Sequence, residues 1–379
     1  MKLPHHPHRI ERLNAIRKMT KTDAFLFTSA PTIKWLSGYF YNFETGTSPF
    51  QLLPAALVIV PAQFMCIVLA DNESFRQPEA GQPVMVKPYP SYVHEKPLDY
   101  TNQFLGKLHE VLQEYGLTNA RFGIEHDTLP FVVSQSLKSK YPAISLMDVS
   151  GEISCLKAVK DADEIEYIRQ AARLCDKGQT AVLKYGKPGI TELELFNLVR
   201  REIEVSVGTR VPLMADLISG AGTSTGGGLP GNRVILEKDI ILSDLTPCLN
   251  GYWGDSCNTL AVGEPASELR KTFSLVREAL DIAVNAIHPG IRAMEIDRLM
   301  RDHTGNFPHH GGHGVGTMYH EEPRINPYND MELVQGMVIA LEPGIYKNDY
   351  GIRLEHMVVV TESGCEILTK FQHLFEDNS

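Results

Sequence analysis

Apolar residues recur three apart at Ile10, Leu13, Ile16 and Met19, the spacing that lays one face of an α-helix against a core. "DAFLF" follows and predicts a buried strand. "AALVIV" and "FMCIVLA", parted only by "PAQ", predict a hairpin. Residues 101–115 and 131–140 predict helices, with the strand "RFGIE" between them. A mixed α/β unit therefore ends near residue 150. "LKAVKDADEIEYIRQAARLCDKGQTAVLKYG" then predicts one long helix, charged along one face, that stops at Gly186. "TELELFNLVRREIEV" predicts the next, opened by a capping box in which the Thr191 hydroxyl takes an amide three residues on and Glu194 reaches back. A second helix pair is predicted over 265–287 and 292–304, parted by "HPG". Between and after these lie strand pairs, 239–246 with 252–262 and 337–342 with 352–360. The second half thus reads as helices packed on one antiparallel sheet. The expected domains are 1–155 and 156–379.

Composition narrows the function. A length of 379 residues favours two domains, and 43% apolar with 22% charged residues suits an ordinary globular core. No stretch approaches the roughly 20 apolar residues of a membrane span. "MKLPHHPHRIERL" lacks the apolar run of a secretory signal, so a cytoplasmic location is expected. Its "HHPHR" reads as a mobile end rather than a metal site. Six scattered cysteines without a CxxC pair fit reduced thiols and argue against a zinc ribbon. A net charge of −10 with no basic run argues against a nucleic-acid partner. "GTSTGGGLPG" has no lysine of a phosphate-binding loop and no strand-to-helix context, which excludes that reading.

The candidate chemistry lies in acids placed where strands should be apolar. In "KDIILSDLTPCLNGYWGDSCNTLAVG", Asn250-Gly251 is a strong two-residue hairpin signal. A turn centred there sets 249 opposite 252, 244 opposite 257 and 246 opposite Asp255. Asp244 and Asp255 then project from one face as diagonal neighbours. Two like charges so placed repel unless a cation lies between them; the plainer alternative is a pair of solvated edge aspartates. A second pair repeats the pattern. "GMVIALEPGIY" ends a buried strand on Glu342, and "GIRLEHMVVV" holds Glu355. A hairpin centred on Asn348-Asp349 sets these two opposite each other, although Pro343 and Gly344 interrupt the first strand. A glutamate beside "MVVV" is costly to bury unpaired. His313 lies just upstream in the glycine-rich "HHGGHGVGTMYHEEP". Four carboxylates and one imidazole are too oxygen-rich for structural zinc and suit a pair of Mn, Co, Fe or Zn ions.

Those motifs, in this order and at this spacing, resemble the pita-bread metallohydrolases: X-Pro dipeptidase (prolidase), aminopeptidase P and methionine aminopeptidase, with creatinase as a relative. "APTIKWLSGY" and "LKAVKDADEIEYIRQAA" resemble the prolidase-type N-terminal domain and its junction, which favours the prolidase and aminopeptidase P branch. The resemblance implies an α+β fold. A pita-bread catalytic domain, an antiparallel sheet flanked by helices, would follow a creatinase/prolidase-type mixed α/β domain. It implies that Asp244, Asp255, His313, Glu342 and Glu355 bind two divalent metal ions, manganese first among manganese, cobalt, zinc and iron. Asp255 and Glu355 would bridge them. A metal-bridging hydroxide would attack a carbonyl, with Glu342 as general base and acid. His309 and His320 would contact substrate and stabilise the intermediate, Arg353 would lie close to the site, and His310 would be an exposed filler. The resemblance also implies a homodimer, with "KWLSGYFYNFETG" lining a partner's site; Trp35 and Tyr39 read otherwise as core.

Three departures from the family pattern bear on substrate. Family peptidases carry a further histidine in a "PHG"-like segment, and Gly227 stands near its position. "DSCNT" replaces "D-x-T-R-T", placing Cys257 and Asn258, with Cys257 read as a small buried apolar residue. His356 follows Glu355 where an aspartate is common. The expected function is therefore a dinuclear-metal hydrolase of a C–N bond, an X-Pro dipeptidase or aminopeptidase P-like peptidase. The alternatives are a hydrolase of a non-peptide C–N bond in a small metabolite, as in creatinase and ectoine hydrolase, and a non-catalytic binding module of the same fold.

Overall fold

The computed structural model describes residues 7–40, 53–73 and 84–375. It separates into two compact units, Met1–Lys157 and Ala158–Ser379. The histidine side chains of "HHPHR" and the part of "KWLSGYFYNFETG" beyond Phe40 lie outside the described residues.

In the first unit the elements run α1 (Pro7–Thr20), β1 (Ala24–Phe27), α2 (Ala30–Ser37), β2 (Ala56–Val60), β3 (Phe64–Ala70) and β4 (Val84–Tyr89), then α3 (Tyr100–Glu114), β5 (Arg121–Ile124), α4 (Phe131–Lys140), β6 (Ser145–Asp148) and α5 (Ser150–Ala158). Six strands form one mixed sheet in the order β4-β3-β2-β1-β5-β6. The β2–β3 hairpin and the β1–β2 pair are antiparallel, and the other pairs are parallel. Successive strand residues point to opposite faces, so the continuous apolar runs feed two cores. Ala24, Leu26, Val58, Cys66 and Val68 pack against Phe104, Leu108 and Leu112 of α3 and Val133 and Leu137 of α4. Phe25, Phe27, Leu57, Ile59 and Ile67 pack against Leu13 and Ile16 of α1 and Ile33, Trp35 and Leu36 of α2. Trp35 and Tyr39 are buried core residues.

The second unit opens with α6 (Ala162–Tyr185) and α7 (Glu192–Val207), followed by β7 (Leu213–Ser219), β8 (Ile240–Leu249), β9 (Tyr252–Trp253) and β10 (Cys257–Ala261). Then come α8 (Ser267–Ala286), α9 (Ala293–Thr304), β11 (Gly312–Gly314), β12 (Glu321–Ile325), β13 (Val338–Leu341), β14 (Gly344–Tyr346), β15 (Gly351–Arg353), β16 (His356–Val360) and β17 (Cys365–Ile367). Each helix pair covers its own strands. Leu174 and Val182 of α6 and Leu195, Val199 and Ile203 of α7 pack on Leu217, Ile241, Leu245 and Leu260. Val276 and Leu280 of α8 and Ile296 and Met300 of α9 pack on Ile339, Leu341, Val358 and Val360.

Two sequence expectations change here. The single long helix divides into α5 and α6, because Val159 leaves to bridge Met337. The backbone N–H of Asp161 then donates to Glu164 Oε2 at 3.1 Å and starts a new helix. The antiparallel strands fall into three ladders, β10-β8-β7 with β9, β12-β11-β13-β16-β17, and β14-β15, rather than one. Pro343 cannot donate to a ladder, and the pairing of β13 with β16 stops where it stands.

The Asn250-Gly251 turn has φ of +54° and +78°, the left-handed pair that a two-residue hairpin needs. Gly251→Ala places a β-carbon in that strained region and is expected to destabilise this unit by about 1 kcal/mol. Equilibrium urea unfolding followed through fluorescence measures it; an unchanged midpoint would show that the turn does not hold the strands in register.

Candidate metal centre

The turn sets Leu249 opposite Tyr252, and the register runs on through Asp244 opposite Cys257. Asp255 thereby faces Thr246, whose hydroxyl donates to Asp255 Oδ1 at 3.0 Å. The second hairpin behaves alike. Gly344 pairs with Arg353 and Leu341 with His356, which leaves Glu342 and Glu355 facing each other at the break between the ladders. His313 sits on β11, squeezed between β12 and β13. Its flanking glycines permit that. A β-carbon on Gly312 would lie 2.0 Å from the Ala340 carbonyl oxygen, and one on Gly314 would lie 2.1 Å from that of Glu322.

Five side chains from across the unit thus reach one cavity of 640 Å³. Asp244, Asp255 and Glu355 bring carboxylate oxygens within 4.8 Å of one another, and so do the donor atoms of Asp255, His313 and His320. Asp255 is common to both groups. Glu342 Oε1 lies 3.6 Å from His313 Nε2, and Asp255 Oδ2 lies 3.7 Å from the same nitrogen. Burial, then the charges of Asp244 and Glu342, pushes Asp255 well above the carboxylate range. Glu355 goes the same way through burial and then Asp255 and Asp244. Burial raises Glu342 to about 8 against the pull of Arg353. Burial likewise raises Asp244, again opposed by Arg353. Within the cavity wall, Glu355 Oε2 is buried without a hydrogen-bond partner. Crowded carboxylates with an orphaned oxygen form a donor set suited to oxygen-binding divalent cations.

Residues 166–362 match the model of metallopeptidase family M24, and residues 9–159 match the creatinase/prolidase N-terminal domain. The chain belongs to metallopeptidase family M24. It is similar to an uncharacterized peptidase of Staphylococcus aureus, 31% identical over 77% of this chain and 86% of that one. An uncharacterized peptidase of Staphylococcus haemolyticus is 27% identical over 96% of this chain and 99% of that one. Among solved structures, the prolidase from Pyrococcus furiosus has a TM-score of 0.77 at 27% identity, covering 94% of this chain and 99% of that one. The Xaa-Pro dipeptidase from Bacillus anthracis has a TM-score of 0.81 at 25% identity, covering 97% and 99%. The X-Pro aminopeptidase from Thermotoga maritima, at 22% identity and a TM-score of 0.81 over 97% and 99%, shares the fold. The M24 chain is therefore an α+β metallopeptidase with a creatinase-type N-terminal domain.

The remaining expected residues of this M24 site take varied places. His320 lines the cavity with its ring centroid 3.8 Å from that of His313. Burial and Arg324 lower it to about 4, so it is neutral at pH 7. His309 stands one step back. Its Nδ1 contacts the His310 carbonyl oxygen at 2.8 Å, its Nε2 contacts the Tyr346 hydroxyl at 2.8 Å, and Nδ1 is 3.9 Å from Glu342 Oε2. Burial and Arg353 lower His309 to about 4 as well. Bonded to a carbonyl, Nδ1 carries the proton of the neutral ring and Nε2 accepts from Tyr346. Arg353 donates to Asp244 Oδ2 at 2.5 Å, to Tyr346 at 3.2 Å and to the Gly226 carbonyl oxygen. Cys257 packs with Ile218 and Leu242, and burial raises its thiol well above the usual value. Asn258 meets His373 Nδ1 at 3.1 Å, and His356 bonds Thr369 at 2.9 Å.

Sequence reasoning missed β7 and with it Asp216, which pairs across the ladder with Asp244 and lines the cavity. The signal was present: an acid before Leu217 and Ile218 breaks an apolar strand as Asp244 does. It also missed Tyr346 and the buried ion pair of Lys160 with Glu321 at 3.0 Å. Glu321 Oε1 accepts from Thr317 and Met318, and this pins the loop that carries Tyr319 and His320.

Proposed function

We propose that this M24 protein is a dinuclear-metal peptidase of the X-Pro dipeptidase or aminopeptidase P type. Asp244, Asp255, His313, Glu342 and Glu355 would hold the two ions, with Asp255 and Glu355 shared between them. The observation that carries this is the sharing of Asp255 between two donor groups around one cavity. Divalent cations bound there would supply Lewis acidity and a water that ionises near neutral pH. Glu342 is placed to take a proton and pass it to the leaving nitrogen, its carboxylate oriented beside His313 and His309. Neutral His320, at the cavity wall, donates an N–H toward the carbonyl oxygen as charge develops there. Phe196, Leu213, Met214, Leu229 and Pro230 make an apolar wall suited to a proline ring or an aliphatic side chain. Manganese is the first choice of metal, and the working form is a homodimer in the cytoplasm. Among the described residues no helix is long and apolar enough to cross a membrane.

A second reading, hydrolysis of a non-peptide C–N bond in a small metabolite, draws support from Gly227. A β-carbon there would lie 2.2 Å from Asp216 Oδ2, so near the position where family peptidases carry a histidine the Asp216 carboxylate occupies the space a side chain would take. Turnover of X-Pro dipeptides, longer X-Pro peptides and cyclic amidines with Mn²⁺, Co²⁺ and Zn²⁺ separates the two. Cleavage of X-Pro substrates alone supports the peptidase; turnover of the amidine alone supports the second reading.

A further inference from the structure

We propose that Asp216 is a specificity residue whose carboxylate receives a cationic nitrogen of the substrate close to the scissile C–N bond. The proposal rests on the hydrolase reading above and names the substrate charge that this site selects.

Asp216 stands opposite Asp244 on the neighbouring strand, so the two side chains share the face that looks into the cavity. It is not a member of either group of donor atoms that could hold an ion. Its side chain is 39% exposed, toward the space a substrate would fill. Its ion contact is with Arg353 Nη2 at 3.8 Å, and that nitrogen already donates to Asp244 at 2.5 Å. Neighbouring backbone is shaped around the carboxylate. Leu217 N–H bonds the Gly228 carbonyl oxygen at 3.1 Å, which lays residues 227 and 228 beside β7. Only a glycine at 227 leaves Asp216 its present position. The cavity-lining residues Phe196, Leu213, Met214 and Leu229 offer no charge. Among the described residues, two cavity-wall carboxylates stand outside both donor groups, Glu342 and Asp216, and since Glu342 is taken up by the metal and proton-transfer roles above, Asp216 is the one left for a substrate cation. Asp216 and the ligand Asp244 are cross-strand partners, roughly 5 Å apart at their β-carbons, so that cation sits within a few bonds of the reacting carbon. An α-ammonium of a peptide and an amidinium of a small metabolite share this chemistry.

The test compares wild type, Asp216→Asn and Gly227→Ala, loaded with Mn²⁺, on alanyl-proline and on lactyl-proline, which carries a hydroxyl in place of the ammonium; a cyclic amidine forms a third arm. Asp216→Asn is expected to lower kcat/KM for alanyl-proline about 10–100-fold and for lactyl-proline less than about 3-fold. Gly227→Ala, which turns the carboxylate aside, should reproduce that selectivity while keeping its charge. A loss confined to the amidine assigns the cation to an amidinium and supports the proposal equally. Equal losses on charged and neutral substrates, or no loss on any, overturn it. Calorimetric binding of alanyl-proline and lactyl-proline to the Mn²⁺-loaded protein reads the charge preference without turnover. An inactive wild type that still prefers the ammonium in that measurement, and loses the preference in Asp216→Asn, would sink the hydrolase reading and leave this one standing.

Discussion

Glu342→Gln is expected to lower kcat for the best substrate about a thousandfold or more, while the substrate still binds with an affinity near that of wild type. The substitution keeps the shape of the side chain and removes the basic oxygen. Glu342 lies 3.6 Å from His313 and 3.9 Å from His309, so an isosteric amide stays in place and the histidines keep their neighbours. Rapid-quench turnover and calorimetric binding, with metal content measured on the same sample, check this. Activity within tenfold of wild type at full metal occupancy would remove Glu342 from the proton transfers.

Metal removal carries the second large effect. Chelation is expected to abolish turnover and lower the melting temperature, and Mn²⁺ should restore both. Ligand linkage makes the gain about 4 kcal/mol when the free ion stands a thousandfold above its dissociation constant. The chelated protein should also show an inverted pH dependence. Glu342, raised to about 8 by burial, binds its proton more tightly in the fold than in the unfolded chain. Asp244, Asp255 and Glu355 are raised in the same direction. A raised carboxyl contributes stability that is present below its unfolded value and lost as pH rises through its folded value. For Glu342 that window runs from about pH 4.5 to about pH 8. Metal binding removes the penalty, because the cations take the place of the protons. Denaturant midpoints at pH 5, 6, 7 and 8, with chelator and with Mn²⁺, measure this. A chelated protein that gains stability across that range would contradict the cation-starved cluster.

The two hairpins show what one dimension of information can carry. Asn250-Gly251 needs positive φ at both residues, a local demand, and period-two alternation then places Asp244, Thr246, Asp255 and Cys257 on one face. The register of Glu342 against Glu355 follows from counting outward from the loop, although Pro343 breaks the ladder between them. Helix boundaries were legible where a cap is local, as at Thr191, where the Glu194 N–H donates to Thr191 Oγ1 at 3.1 Å. The division between α5 and α6 was not, because an apolar spacing continues across it and the bridge that interrupts it comes from Met337.

The identity of the acids and the imidazole, and which of them share a strand face, were determined by the sequence alone, since turn chemistry and side-chain alternation act within a few residues. Tertiary structure decided which of those faces meet. It set His309 behind Tyr346 and His320 against His313, and it folded Gly227 over Asp216, eleven positions up the chain. Such contacts arise from the packing of separate ladders, where one glycine's missing β-carbon makes room for another residue's carboxylate, and no local pattern along the chain records that space.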